Sequence, residues 1–239
     1  MKAFKIVITL ICIISMLSIG VSLEAKKKEK EAETHLFLDD SQLENPEYYS
    51  QLSIQALQSF ANALATPITP DINMIHDNMI LANIDAKIAE EMVAVSLGMR
   101  QEYVKIEAQG KSLLSGNLEG SEAEISETLK AKLEDIKNDK AKFSEPQKAY
   151  FLNGFIYLAS SIIREKNILE SAKKFVDEAK NATGMAAAKY AKSLPQATAI
   201  VTDLPATLVS QMNTINEYIT IAKTQGIEIP ADVTKNLFK

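Results

Sequence analysis

The 239-residue chain is 46% hydrophobic, carries 26 basic against 31 acidic residues for a formal charge of −5, and has one cysteine, two histidines and no tryptophan. That much apolar material suffices for one core, while the acidic balance argues against broad electrostatic capture of nucleic acid or anionic lipid. A single cysteine excludes an internal disulfide, and histidines as far apart as His35 and His76 exclude a histidine-rich metal site.

At the start of the chain, Lys2 and Lys5 precede an apolar run from Ile6 to Val21, shorter than the about 20 residues a membrane-spanning helix needs. Gly20-Val21-Ser22 puts small side chains at −3 and −1, so residues 1–22 read as a signal peptide, with Ala25 as the second cleavage choice. Ile11 occupies the position where a lipoprotein signal needs a small residue, which makes Cys12 apolar filler. The competing reading retains residues 6–23 as an inner-membrane anchor, with Lys26, Lys27, Lys28 and Lys30 as its flanking stop. Residues 23–44 are rich in Lys and Glu without an apolar period and read as a charged flexible leader, in which His35-Leu-Phe-Leu38 is the segment suited to docking.

The domain is expected over residues 45–239. Asn45 can cap a helix with Pro46 at its first position, and Tyr49, Leu52, Ala56, Phe60 and Ala63 recur at three- and four-residue steps. Thr69 and Pro70 repeat the start signal. Leu81, Ile84, Ile88, Met92, Val95, Met99, Tyr103 and Ile106 then predict one long amphipathic helix over about 71–114, with Gly98 and Gly110 as weak points. Ser121 and Glu124 form a capping box ahead of the narrow stripe Ile125, Leu129, Leu133 and Ile136, which reads as a surface helix.

Ser144 is the next cap, and residues 149–163 are apolar nearly all round, as a buried central helix would be. A membrane-inserting hairpin is the competing reading, disfavoured because fifteen residues are too few to span. The pattern continues through Ile168, Ala172, Phe175, Val176 and Ala179 until Asn181-Ala-Thr-Gly184, which ends it and also matches a glycosylation sequon. A short helix is expected before Pro195. The last long one is expected to follow Asp203 and Pro205, with Leu208, Met212, Ile215, Ile219 and Ala222 inward and Gly226 closing it. One helical turn is expected after Pro230. No strand period or internal repeat is present, so the predicted fold is all-α, an antiparallel bundle of about five to six helices.

No catalytic constellation emerges. There is no Gly-x-Ser-x-Gly elbow and no Glu-x-x-His pair; the Gly-Lys-Ser at 110–112 lacks the first glycine and the strand of a phosphate loop; Asp39-Asp40 lacks the alternating ligands of a calcium loop. His76 beside Asp77 reads as a surface residue near a helix start. Glu90 and Glu91, being adjacent, are expected not to face inward together. No enzyme activity and no cofactor or metal is implied.

The functional expectation is an exported, periplasmic or secreted, non-catalytic helical module that binds an envelope protein or a second copy of itself. Between Leu194 and Gly226 the only charges are Asp203, Glu217 and Lys223, and interface centres are charge-poor, so Gln211, Thr214 and Tyr218 are the candidate partner-facing residues. Two alternatives remain: membrane association through an uncleaved leader, and a small apolar-ligand carrier with a pocket lined by Met92, Met99 and Tyr103.

Overall fold

The computed structural model describes residues 38–99, 103, 105–108, 127–138 and 141–239. The segment expected to be a signal peptide, most of the expected charged leader, the Gly-Lys-Ser at 110–112 and the expected Ser121–Glu124 box lie outside the described residues. Among those described, the chain is all-helical, with one 3-10 turn at Asp40–Gln42 and seven α-helices: α1 Pro46–Ala65, α2 Ile72–Ser96, α3 Glu127–Lys137, α4 Glu145–Asn181, α5 Met185–Ala191, α6 Leu194–Gln225 and α7 Ala231–Leu237.

Local chemistry accounts for most of the boundaries. Asn45 accepts from the Glu47 N–H with Pro46 opening α1. Ser144 accepts from the Gln147 N–H while Gln147 reaches back to the Ser144 N–H, a reciprocal capping box at the start of α4. At α2 the cap is Asp71 rather than Thr69, because the Asp71 carboxylate accepts from both Asn73 and Met74 N–H groups at the positive end of the helix. The expected helix over 71–114 is interrupted. Gly98 adopts φ +68°, the Gly98 N–H donates to Val95 O and the Met99 N–H to Ala94 O, so α2 stops at Ser96 in a left-handed turn. Gly226 ends α6 as expected, with the Ile227 N–H donating to Ala222 O.

Pro205 does not start the last long helix but sits inside it, since α6 begins at Leu194 with Pro195 in its first turn. An interior proline costs a helix about 3 kcal/mol. Packing holds the helix together across it: Ala197 and Leu204 join Ile75, Ala82, Ile168, Ala172, Phe175 and Val176 in one buried cluster shared by α2, α4 and α6.

Helix α4 is the centre on which α1, α2 and α6 pack. Gly154 faces Ala89 to Val93, and Asp85 pairs with Arg164, so α2 and α4 run antiparallel. Phe151 meets Tyr218 and Glu165 meets Gln211, so α6 is antiparallel to α4 as well. Helix α1 is the exception to the antiparallel expectation: Tyr49 packs edge-on against Tyr150 while Asn167 Nδ2 donates to Ala63 O, so it runs alongside α4 in the same direction.

Helices α2 and α4 come close together at Gly154, where an added Cβ would lie 3.0 Å from both Ala89 O and Val93 Cγ2. That proximity lets α2 and α4 enclose each other. Residues 84–94 and 153–165 are buried without interruption, as the apolar 149–163 pattern led one to expect for α4.

Candidate functional site

A helix enclosed on every side buries its polar residues along with its apolar ones, and α2 and α4 carry several. Asp85, Lys87, Glu90, Glu91, Asn153, Arg164 and Glu165 are all under a tenth exposed. The expectation that Glu90 and Glu91 cannot both lie inside is therefore overturned: adjacency separates two faces of a helix, but both faces of α2 are covered.

Most of this buried charge is paired, as the cost of desolvation demands. Arg164 Nε donates to Asp85 Oδ2 at 2.9 Å, and Ser59 Oγ of α1 donates to Asp85 Oδ1 at 2.8 Å, tying three helices at one carboxylate. Burial raises the Asp85 pKa, with Arg164 and Ser59 pulling it back. Lys87 Nζ donates to Glu90 Oε2 at 3.0 Å; burial raises the Glu90 pKa and Lys87 opposes the rise. Glu165 has no cation opposite it in the contacts that shift it. Its Oε1 accepts from Gln211 Nε2 at 2.8 Å and from Ser161 Oγ at 3.3 Å, and burial pushes its carboxyl up to about 7.

The interior also holds the N-terminal segment. The Leu38 N–H donates to Glu91 Oε1 at 3.3 Å, and the Leu38 carbonyl accepts from the Tyr103 hydroxyl at 2.6 Å, with Leu38 only 3% exposed. The Asp39 N–H donates to the Tyr48 hydroxyl, and the Tyr150 hydroxyl donates to Leu43 O. Residues 38–43 are thus bound to the helices. Of the His35–Leu38 segment expected to dock, Leu38 lies within the described residues and is docked, and a 3-10 turn at Asp40–Gln42 precedes Asn45.

The predicted partner-facing residues are placed differently from expectation. Gln211 is 6% and Tyr218 1% exposed, and only Thr214, half-buried, reaches the surface. The buried residues of α6 are Ala197, Leu204, Gln211, Ile215, Tyr218, Ile221, Ala222 and Gln225, while Met212 and Ile219 are only half-buried. Each inward polar residue has a reason. Gln211 meets Glu165, Tyr218 packs on Phe151 at 5.2 Å, and Gln225 accepts from the Phe143 N–H while donating to Ala141 O. A partner-facing role does not fit Gln211 or Tyr218.

The rotation leaves Ala206, Val209, Ser210, Asn213 and Asn216 on the outer face of α6, with Val209 63% exposed. From Leu204 to Asn216 there is no charged residue. Several α6 hydroxyls and amides turn back on the helix itself: Thr198, Thr202 and Thr220 donate to the carbonyls of Leu194, Thr198 and Asn216, and Asn216 Nδ2 donates to Met212 O. Between Leu204 and Asn216 the outer face is therefore uncharged, with polar hydrogen-bonding capacity partly spent internally.

Of the predicted pocket residues, Met92 is 1% and Tyr103 2% exposed, and Met92 lies against Gly154. Met99 is half-buried beyond the turn that stops α2. A groove of about 440 Å³ lies elsewhere, between α1, α4 and α7, lined by residues that include Leu64, Leu169, Lys166, Lys173 and Lys239. His76 sits 3.8 Å from Asp77 at the start of α2, both partly exposed. Among the described residues no helix is long and apolar enough to cross a membrane, and no group of three His, Cys, Asp or Glu side chains is gathered.

Comparison with protein-family models, with curated proteins and with solved structures found no match for this chain.

Proposed function

We propose that this chain is an exported, non-catalytic helical-bundle protein of a bacterial envelope that binds a protein partner through the outer face of α6. The observation that carries the reading is the uncharged run Leu204–Asn216, in which Val209 stands 63% exposed beside Ala206, Ser210 and Asn213. The centres of protein interfaces are depleted in charge, and this face contrasts with α3 and the outer side of α4, which are dense in Lys and Glu. Interior carboxylates such as Asp85 and Glu90 are already engaged by Arg164 and Lys87, which favours a binding role over a catalytic one. Export rests on the Lys2–Ser22 leader.

A photo-crosslinking side chain placed at Val209 of the full chain, expressed in its native cells, tests the binding face. A discrete protein adduct at position 209, absent when the same group is placed at exposed Asp232 of α7, is the expected result; adducts concentrated away from α6 would overturn it. Adducts between two copies would identify the partner as the chain itself. Amino-terminal sequencing of the captured material should begin at Leu23 or Lys26, and a carbonate wash should release it; a retained Met1 with resistance to the wash would replace export with anchoring through residues 6–23.

A further inference from the structure

The contact between Glu165 of α4 and Gln211 of α6 is uneven. Glu165 Oε1 accepts twice, from Gln211 Nε2 at 2.8 Å and from Ser161 Oγ at 3.3 Å, while Glu165 Oε2 is closed to solvent and meets no protein donor. Gln211 repeats the pattern, with its Nε2 bonded and its Oε1 buried without a donor. An ionised Glu165 leaves both leftover oxygens unsatisfied, because a carboxylate only accepts and an amide oxygen only accepts. One hydrogen, carried by either group, serves both. No cation takes its place. On α4, Arg164 is turned to Asp85 and Lys166 donates to Leu237 O. On α2, Lys87 is paired with Glu90, Glu91 Oε1 accepts from the Leu38 N–H, and His76 and Asp77 are partly exposed at the helix start. The one charged residue of α1 is Glu47 in its first turn, whereas Glu165 lies near the level of Ala63 in its last. Asp203 and Glu217, the charges flanking Gln211 on α6, and Asp232 and Lys235 of α7 are all exposed.

We propose that Glu165 and Gln211 form a proton-dependent latch between α4 and α6, in which the carboxyl is protonated on Oε2 and donates to Gln211 Oε1 beside the existing Nε2–Oε1 bond, and loss of that proton loosens α6. A carboxylic acid and a primary amide suit each other in this way, each offering one donor and one acceptor in one plane. The pattern of donors selects the oxygen: Oε1 already receives two and acts as the carbonyl, so the proton belongs on Oε2. Burial raises the carboxyl to about 7, opposed only by Gln211 and Ser161 and by no charged group. Because the shift is upward, the latch is closed below that value and opens as pH rises through it. The departing proton goes to solvent. What remains is a buried charge with no counter-ion and a Gln211 oxygen without a donor, both unfavourable in a dry interior. Helix α6 is the element that yields, since α4 is also held by α1 and α2 through Asn167 and Arg164.

The test is an infrared titration of the full chain, with the spectrum of Glu165→Gln subtracted to isolate this one carboxyl, and hydrogen exchange of α6 over the same pH range. A hydrogen-bonded acid carbonyl band is expected below about pH 7 and should disappear above it, while the side-chain carbonyl carbon of Gln211 shifts in the NMR spectrum with the same midpoint. Gln211→Met removes the acceptor and should move the band to the frequency of an acid that donates to nothing. If Gln211→Met fails to fold, the carbon shift of the unsubstituted protein decides the same point. In Glu165→Gln an amide stands where the acid was, so both bonds persist at every pH. Exchange at Gln211 to Ile215, corrected for base catalysis, should therefore stay slow in Glu165→Gln and accelerate by about tenfold in the wild type as pH rises through the transition. A carboxylate band at every pH, a Gln211 carbon that ignores the titration, an acid band that Gln211→Met leaves unmoved, or α6 exchange with one pH dependence in both proteins would each overturn the proposal.

Discussion

Asp85 and Arg164 meet across the α2–α4 interface with Nε donating to Oδ2 at 2.9 Å, both side chains 8% exposed. The pair fixes register between two helices that are enclosed over residues 84–94 and 153–165. Breaking a buried pair from one side strands the other charge and costs about 3–5 kcal/mol, whereas replacing both partners with apolar groups is often close to neutral. Arg164→Leu should therefore lower the unfolding free energy from urea titration by an amount in that range, and Asp85→Leu combined with Arg164→Leu should recover most of the loss, less the contribution of Ser59. Denaturant titrations of the two variants and the wild type check this.

Gly154 offers a second probe of the same interface. Its missing Cβ would lie 3.0 Å from the backbone oxygen of Ala89, and backbone cannot rotate aside as a side chain can. Although alanine is the better helix former by about 1 kcal/mol, Gly154→Ala should destabilise by about 1–3 kcal/mol through overpacking. A melting temperature equal to or above that of the wild type would show that α2 and α4 are less tightly apposed.

Glu165 predicts a pH dependence whose sign is fixed by the direction of its shift. Its ordinary value of 4.5 rises to about 7 in the fold because burial disfavours the charged form. The native state therefore binds the proton more tightly than the unfolded chain does. The stabilisation is fully present below about 4.5 and is lost as pH rises through about 7. In Glu165→Gln this component vanishes. The wild-type stability minus that of the variant should fall between pH 4.5 and 7 and level off above, which melts in a pH series would reveal; a flat difference would mean that Glu165 titrates alike in the folded and unfolded chain.

Tyr103→Phe isolates the docked segment. Removing the hydroxyl that donates to the Leu38 carbonyl at 2.6 Å should cost about 1 kcal/mol and weaken the attachment of residues 38–43 more than it weakens the helices. Faster proteolytic cleavage near Leu38, with little change in the rate within α4, is the expected outcome.

On the outer face of α6, Val209→Lys and Asn213→Lys remove no buried contact, so stability should stay within about 0.5 kcal/mol of the wild type. If the proposed binding face is correct, each should reduce recovery of the crosslinked partner by tenfold or more, a loss read from adduct yield at equal expression.

How legible this molecule was depended on the range of the interaction involved. Asn45 with Pro46, Ser144, and Gly226 with Ile227 could be recognised in the sequence because capping acts between residues only a few positions apart. The apolar density of residues 149–163 likewise marked α4 as central. Gln211 was not legible: on α6 it looks like one more solvated amide until Glu165, 46 residues earlier, is brought against it. The same holds for Glu90 and Glu91, whose burial depends on what covers the second face of α2.

By itself, then, the sequence determined that the chain is helical, where most helices start and stop, and which of them is greasy enough to be enclosed, because backbone capping and side-chain periodicity are local. Tertiary structure alone decided which stripe of α6 turns inward, that α2 ends at Gly98, that α6 continues through Pro205, and which acids share the interior. Those outcomes depend on burial and on hydrogen-bond partners supplied from distant parts of the chain, where a buried polar group is stabilised only by the particular neighbour that packing delivers.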